Sequence, residues 1–187
     1  MELPYAGRAT IDDNFNTLDI SIPSKKNWFI IIFLSFWMCI WLVSIVAIPL
    51  TLFTDDSKTP IPFVFVSLWL CGWTVGGFFV FRTLLWNAIG KEVITISQGI
   101  MTIDRKGVIF YKAKSYDLSE ARNFRVQEDP ATSIMPYGMS PLRTWRMGNT
   151  GTIRFDYGMK TVKFGEGVDE AEGSYLLEKL RAKKLIS

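Results

Sequence analysis

The sequence predicts a membrane α-helical hairpin followed by a cytoplasmic antiparallel β domain that ends in a helix. Three observations predict it. Residues 28–52 and 61–81 form runs of 25 and 21 residues without a charge. Beyond residue 86 the chain breaks into short segments of alternating polarity separated by turn residues. Residues 169–184 then change to helical spacing.

A helix needs about 20 apolar residues to cross a bilayer core, so each run is long enough. Pro49 lies near the far end of the first, where a helix can stop or kink, and Pro60 and Pro62 open the second, where a missing N–H costs nothing. Thr54-Asp55-Asp56-Ser57-Lys58-Thr59 between them is too short for anything but a turn outside the hydrocarbon. Lys25 and Lys26 precede the first run and Arg82 and Lys91 follow the second, whereas the connection carries only Lys58 beside two aspartates. By the positive-inside rule both termini are cytoplasmic, with Lys25, Lys26, Trp28, Arg82 and Trp86 as anchors at one interface. The first run is too long for a cleaved signal peptide and a second follows it, which favours two spans.

Small residues are patterned within the hairpin. Ser35, Cys39 and Ala47 share one helical face, and Ser67 with Cys71 and Gly72 with Gly76 repeat a small-xxx-small spacing that permits close approach. The simplest expectation is that these faces pack the two helices together. Trp37 with Trp41 and Trp69 with Trp73 are spaced i, i+4 deep in the runs, although tryptophan prefers the interface. They are expected to pack within the hairpin or against a partner helix, in preference to a lipid, quinone or pigment held by a partner. Gly72 and Gly76 belong to the same candidate contact region. Cys39 and Cys71 sit in the apolar runs outside any CxxC motif and read as small, reduced residues.

In the 87–187 domain, strands are expected at 92–97, 99–104, 108–116, 121–127, 152–157 and 161–164, joined as antiparallel hairpins because the connections are too short for parallel crossovers. Asp169 with Glu172 makes a helix N-cap, Ala171, Tyr175, Leu176 and Leu180 form the apolar stripe, and Arg181, Lys183 and Lys184 complement the helix dipole. In the 1–27 segment, Leu18, Ile20 and Ile22 alternate with Asp19 and Ser21, a strand expected to join the same sheet.

This order of elements, with Gly90-Lys91-Glu92-Val93-Ile94-Thr95-Ile96 leading into paired strands and a Phe-Gly ending before the acidic helix start, resembles bacterial membrane proteins that carry a pleckstrin-homology-like domain after a transmembrane hairpin. The resemblance covers roughly residues 16–185 and is one of layout. It implies a curved antiparallel sheet or barrel capped by a C-terminal helix, in the bacterial inner membrane, and brings no catalytic residues.

The chemistry available is limited. The 187 residues include 21 Lys+Arg, 18 Asp+Glu and no histidine, which excludes Ser-His and Cys-His nucleophile pairs, imidazole metal or haem ligation and a histidine pH switch. Asp12-Asp13 and Asp55-Asp56 are adjacent in loops and point apart, so neither makes an acid/base dyad. No phosphate-binding loop or metal-ligand spacing occurs, so no cofactor of its own and no metal are expected. Residues 128–151 form one long irregular stretch whose Met135, Tyr137, Met139, Arg143, Trp145 and Arg146 are hot-spot types suited to docking on a partner. Residues 87–187 hold 16 Lys+Arg against 12 Asp+Glu, and Arg105-Lys106, Lys112 and Lys114 are candidates for anionic headgroups. Nucleic acid is disfavoured because no basic stripe is present. The expected function is that of a non-catalytic accessory or scaffold subunit of a larger membrane complex, respiratory or photosynthetic being one host. A lipid-sensing module and a membrane enzyme acting on lipid are the alternatives.

Overall fold

The computed structural model describes residues 7–54, 60–127 and 151–186. Among them the elements run β1 (Thr10–Asn14), β2 (Thr17–Pro23), α1 (Trp28–Thr54), α2 (Pro60–Ile89), β3 (Lys91–Ser97), β4 (Ile100–Lys106), β5 (Lys114–Asp117), β6 (Ala121–Val126), β7 (Ile153–Tyr157), β8 (Lys160–Phe164) and α3 (Glu170–Ala182). One sheet has the order β1-β2-β3-β4-β5 and the other β6-β7-β8, with every neighbour antiparallel.

The helices are inserted between two adjacent strands. β2 pairs with β3 from Thr17↔Ser97 to Pro23↔Lys91, so both helices leave the same end of one sheet. Strand alternation decides which way each side chain faces. Leu18, Ile20 and Ile22 of β2, Ile94 and Ile96 of β3, and Met101 and Ile103 of β4 are buried, and they share one core with Phe124, Ile153, Phe155, Phe164, Leu176, Leu177 and Leu180. Phe155 is fully buried. It stacks on Phe124 at 5.1 Å and meets the edges of Tyr116 at 5.4 Å and Phe164 at 6.0 Å, so its ring bridges the two sheets. Burying one such ring stabilises the fold by roughly 1.5–3 kcal/mol.

Local chemistry fixes the turns and caps. Gln98 and Gly99 both have positive φ, 49° and 78°, as a two-residue primed hairpin turn requires. Asp169 caps α3, its carboxylate accepting from the Glu172 N–H at 2.8 Å. Glu172 is buried in turn, and its Oε1 accepts from the Ala9 N–H at 2.7 Å, tying the N-terminal segment to the helix. Two expectations change here. Ala171 is exposed and Leu177 takes its place in the buried stripe. The strand expected over 108–116 shrinks to Lys114–Asp117, because Gly107 (φ 84°) and Phe110 (φ 59°) turn the chain out of the extended conformation.

α1 and α2 are apolar all round. Residues Trp28–Thr51 and Val64–Ile89 are long and apolar enough to cross a membrane. They rise about 36 and 39 Å at 1.5 Å per residue, against a hydrocarbon core of about 30 Å.

Candidate functional site

A largely buried polar cluster lies where the helices meet the sheet. The Ser24 N–H donates to the Gly90 carbonyl at 3.0 Å and its hydroxyl donates to the Trp86 carbonyl at 2.8 Å, so the entry to α1 is pinned to the exit of α2. Gly90 is required there, because a Cβ would overlap the Trp86 carbonyl and ring. Gly107, at φ 84°, packs onto it, with its own would-be Cβ 3.0 Å from the Gly90 Cα.

Arg105 occupies the centre. Its guanidinium lies 5.5 Å from the Trp86 ring and 5.8 Å from that of Tyr111, within cation–π range. The same group reaches Glu92 Oε1 at 3.4 Å and Glu166 Oε2 at 3.2 Å. Glu92 and Arg105 are directly opposite in the β3–β4 register, and both side chains are 1% exposed. The other Glu92 oxygen accepts from the Gly165 and Glu166 N–H groups at 2.8 and 3.0 Å, joining the two sheets. Burial pushes the Glu92 carboxyl above its ordinary range, against the pull of Arg105 and the backbone donors. Burial likewise raises the Tyr111 phenol. A carboxyl of raised pKa suits acid/base work. Here both oxygens are occupied and the group is sealed in, so the arrangement couples elements.

Among the described residues no group of acidic or cysteine side chains is placed to hold a metal ion. Asp156 accepts from Arg125 at 2.9 and 3.2 Å, Asn123 at 2.9 Å and Thr161 at 2.8 Å, which holds its carboxyl far below the ordinary value and stitches β6, β7 and β8 across their outer face. Asp12 and Asp13 are exposed, Asp13 pairing with Lys183. Asp55 and Asp56 lie outside the described residues, as do Met135, Tyr137, Met139, Arg143, Trp145 and Arg146 of the expected docking loop.

In the hairpin, the four inner tryptophans converge. Trp73 lies 5.0 Å from Trp69 and 5.5 Å from Trp37, and the Trp41 Nε1–H donates to the Trp73 carbonyl at 3.0 Å. The close approach is made at Gly77, where any Cβ would overlap the Trp41 indole. This corrects the role expected of the small-residue faces. Ser35, Cys39, Ala47, Cys71, Gly72 and Gly76 are exposed, and a Cβ at Gly72 or Gly76 meets nothing within 4 Å. Trp37, Trp41 and Trp73 instead fill the space between the helices, with Gly77 opposite Trp41 and Trp69 stacked on Trp73 at 40% exposure.

Two more expectations change. Trp86 is buried under the β domain, leaving Trp28, 67% exposed, as the outward-facing tryptophan of the expected anchors, beside the exposed Lys25 and Lys26. Arg105 is withdrawn from the surface cations, leaving Lys106, Lys112 and Lys114 exposed and Arg82 half-buried. The junction residues Glu92 and Arg105 carried a legible signal that sequence reasoning missed. Each is charged, yet each falls at a core-facing position of its strand, in phase with Ile94 and Ile96 or with Met101 and Ile103. Ser24, Gly90 and Gly107 had no such signal.

Comparison of the chain with protein-family models, with curated proteins and with solved structures returned no match.

Proposed function

We propose that this chain is an integral membrane protein whose two helices cross a bilayer, whose β domain is a pleckstrin-homology-like domain on the cytoplasmic side, and whose role is that of a non-catalytic accessory or scaffold subunit in a larger membrane assembly. The observation that carries the reading is the junction: a buried ion cluster, two aromatic rings and two backbone-contact glycines fix the β domain to both helix ends. A domain held this firmly presents its surfaces at a set height and angle, as a scaffold must. Two antiparallel sheets sharing a core with a C-terminal helix support the pleckstrin-homology-like assignment. The lysines flanking the helices support a cytoplasmic β domain, and the layout supports a bacterial inner membrane. The outward small-residue face at Cys71, Gly72 and Gly76 is available to another integral membrane protein. Any haem or chlorophyll beside this chain would take an imidazole ligand from the partner, since this chain has no histidine to offer.

Gentle detergent extraction followed by native mass measurement tests the reading. Co-purifying chains at fixed stoichiometry are expected, and a clean monomer or homo-oligomer would overturn the subunit role. A second reading, a lipid-sensing module, is favoured by the exposed Lys106 and Lys112 beside the junction. It predicts anionic lipid retained on the purified protein and released as salt rises.

A further inference from the structure

We infer that the loop joining β4 to β5, residues 107–113, is a hydrophobic wedge that seats in the boundary between headgroups and acyl chains, with Lys106 and Lys112 on anionic phospholipid headgroups. The inference rests on the proposed membrane placement of α2.

The loop reads Gly107-Val108-Ile109-Phe110-Tyr111-Lys112-Ala113, four large apolar or aromatic residues in succession that belong to neither sheet. Phe110 is 88% exposed and sits at φ 59°, a backbone region that bulky side chains adopt only when their surroundings impose it. The Phe110 ring lies 6.2 Å from that of Phe78 on α2, and Phe78 falls inside the apolar stretch Val64–Ile89. Phe78 is about 16 Å from Ile89 along the helix, at 1.5 Å per residue, so the loop runs back beside α2 toward the bilayer. An aromatic tip there extends the outer surface that α2 already offers through the exposed Val75 and Phe81.

Charge fits the same placement. Lys106 and Lys112 flank the wedge and are exposed, and Lys91 stands opposite Lys106 in the β3–β4 register. The buried Glu92 and the part-exposed Glu166 pair with Arg105. Tyr111 fixes the base of the loop by packing its ring on that same arginine, so insertion of the tip is referred directly to the junction.

The test uses the full chain in nanodiscs of phosphatidylcholine and phosphatidylglycerol, with one spin label per sample. Labels go on Cys71 in a Cys39→Ser background, and on Phe110→Cys, Ile109→Cys or Gln98→Cys with both native cysteines replaced by serine. Gln98 marks the end of the sheet away from the helices. Collision with oxygen and with a water-soluble nickel chelate gives each label's depth. Labels at 110 and 109 are expected to meet nickel several-fold less often, and oxygen more often, than the label at 98, and to be shallower than the label at 71. A deep Cys71 with a Phe110 position as wet as Gln98 would overturn the wedge and leave the spanning helices standing. A wet Cys71 would overturn the membrane placement itself. Shielding of position 110 from both nickel and oxygen would mean that protein covers the loop, and would also overturn the wedge. The insertion at 110 should become shallower in pure phosphatidylcholine and in the Lys106→Gln/Lys112→Gln variant; identical depth in all three would remove the headgroup contacts from the inference.

Discussion

The helical hairpin and the β domain satisfy their polar groups by opposite strategies. In the hairpin, hydroxyls bond within their own turn: Ser44 donates to the Ile40 carbonyl, Thr74 to Leu70 and Thr83 to Phe79, each at 2.8 or 2.9 Å. In the β domain, polar side chains reach across the chain. Thr95 donates to Asp19 at 2.6 Å, Thr152 to the Val168 carbonyl at 2.6 Å, and Glu92 and Glu172 bind backbone donors on distant elements. The apolar groups are reversed as well. Phe29, Phe33, Phe36, Val43 and Leu68 cover the outside of the helices, whereas Ile94, Phe155 and Phe164 are fully buried. A surface dominated by apolar side chains, with these hydroxyls bonded to their own helix, suits a solvent that forms no hydrogen bonds, and a network of distant polar contacts is what fixes a single arrangement in water.

The comparison breaks most visibly at Arg105. Arg105→Ala leaves Glu92 and Glu166 facing each other in a buried site and should destabilise the β domain by about 3–5 kcal/mol, the usual cost of removing one partner of a buried pair. Urea unfolding of the full chain in micelles, read by hydrogen exchange in β3 and β4, measures it. Gly77→Val strikes the hairpin's own tight contact. Displacing the Trp41 indole should cost about 1–3 kcal/mol and loosen α1 from α2, seen as a rise in label-to-label distance across the helices, while exchange in the sheets stays unchanged. Thr152→Val strands the buried Val168 carbonyl and should cost roughly 1–2 kcal/mol in the same unfolding assay. Thr74→Ala, which removes a bond within one helical turn, should stay within about 0.5 kcal/mol of the parent.

Acid resolves the two carboxylates by sign. Asp156 has a depressed pKa, so its contribution is present above the ordinary 3.8 and lost as pH falls toward its folded value. Glu92 has a raised pKa, so its contribution is complete below the ordinary 4.5 and lost as pH rises through the folded value. Melting profiles of Asp156→Asn should therefore lose part of the acid-side fall in Tm, whereas Glu92→Gln should remove a decline on the rising side.

Sequence periodicity revealed the two apolar helices, the alternating strands and the capped C-terminal helix, because each leaves a repeating pattern set by its own geometry. Residues 108–116 broke the rule. Their composition is that of a strand, but Gly107 and Phe110 take positive φ and lie beside Gly90 and Phe78, far away in the chain. The small-residue faces misled for a related reason. Spacing tells which residues share a face but not which face meets the neighbour, and at the α1–α2 contact bulky indoles opposite Gly77 supply the packing. Trp86 and Arg105 read as an interface anchor and a surface cation because nothing in the sequence says that they meet. Glu92 and Arg105 were legible by strand phase, and charge at a core-facing position is the signal to look for.

Insertion of both helices between neighbouring strands constrains how the protein is made. β1 and β2 emerge from the ribosome before either helix, yet β2 finds its partner β3 only after α2 is complete. If the helices cross a bilayer as proposed, a chain that integrates only one of them leaves β2 and β3 on opposite sides, and the five-stranded sheet cannot close. On that topology sheet closure requires both spans, and a chain that inserts only one would be left with the β3-facing edge of β2 unpaired.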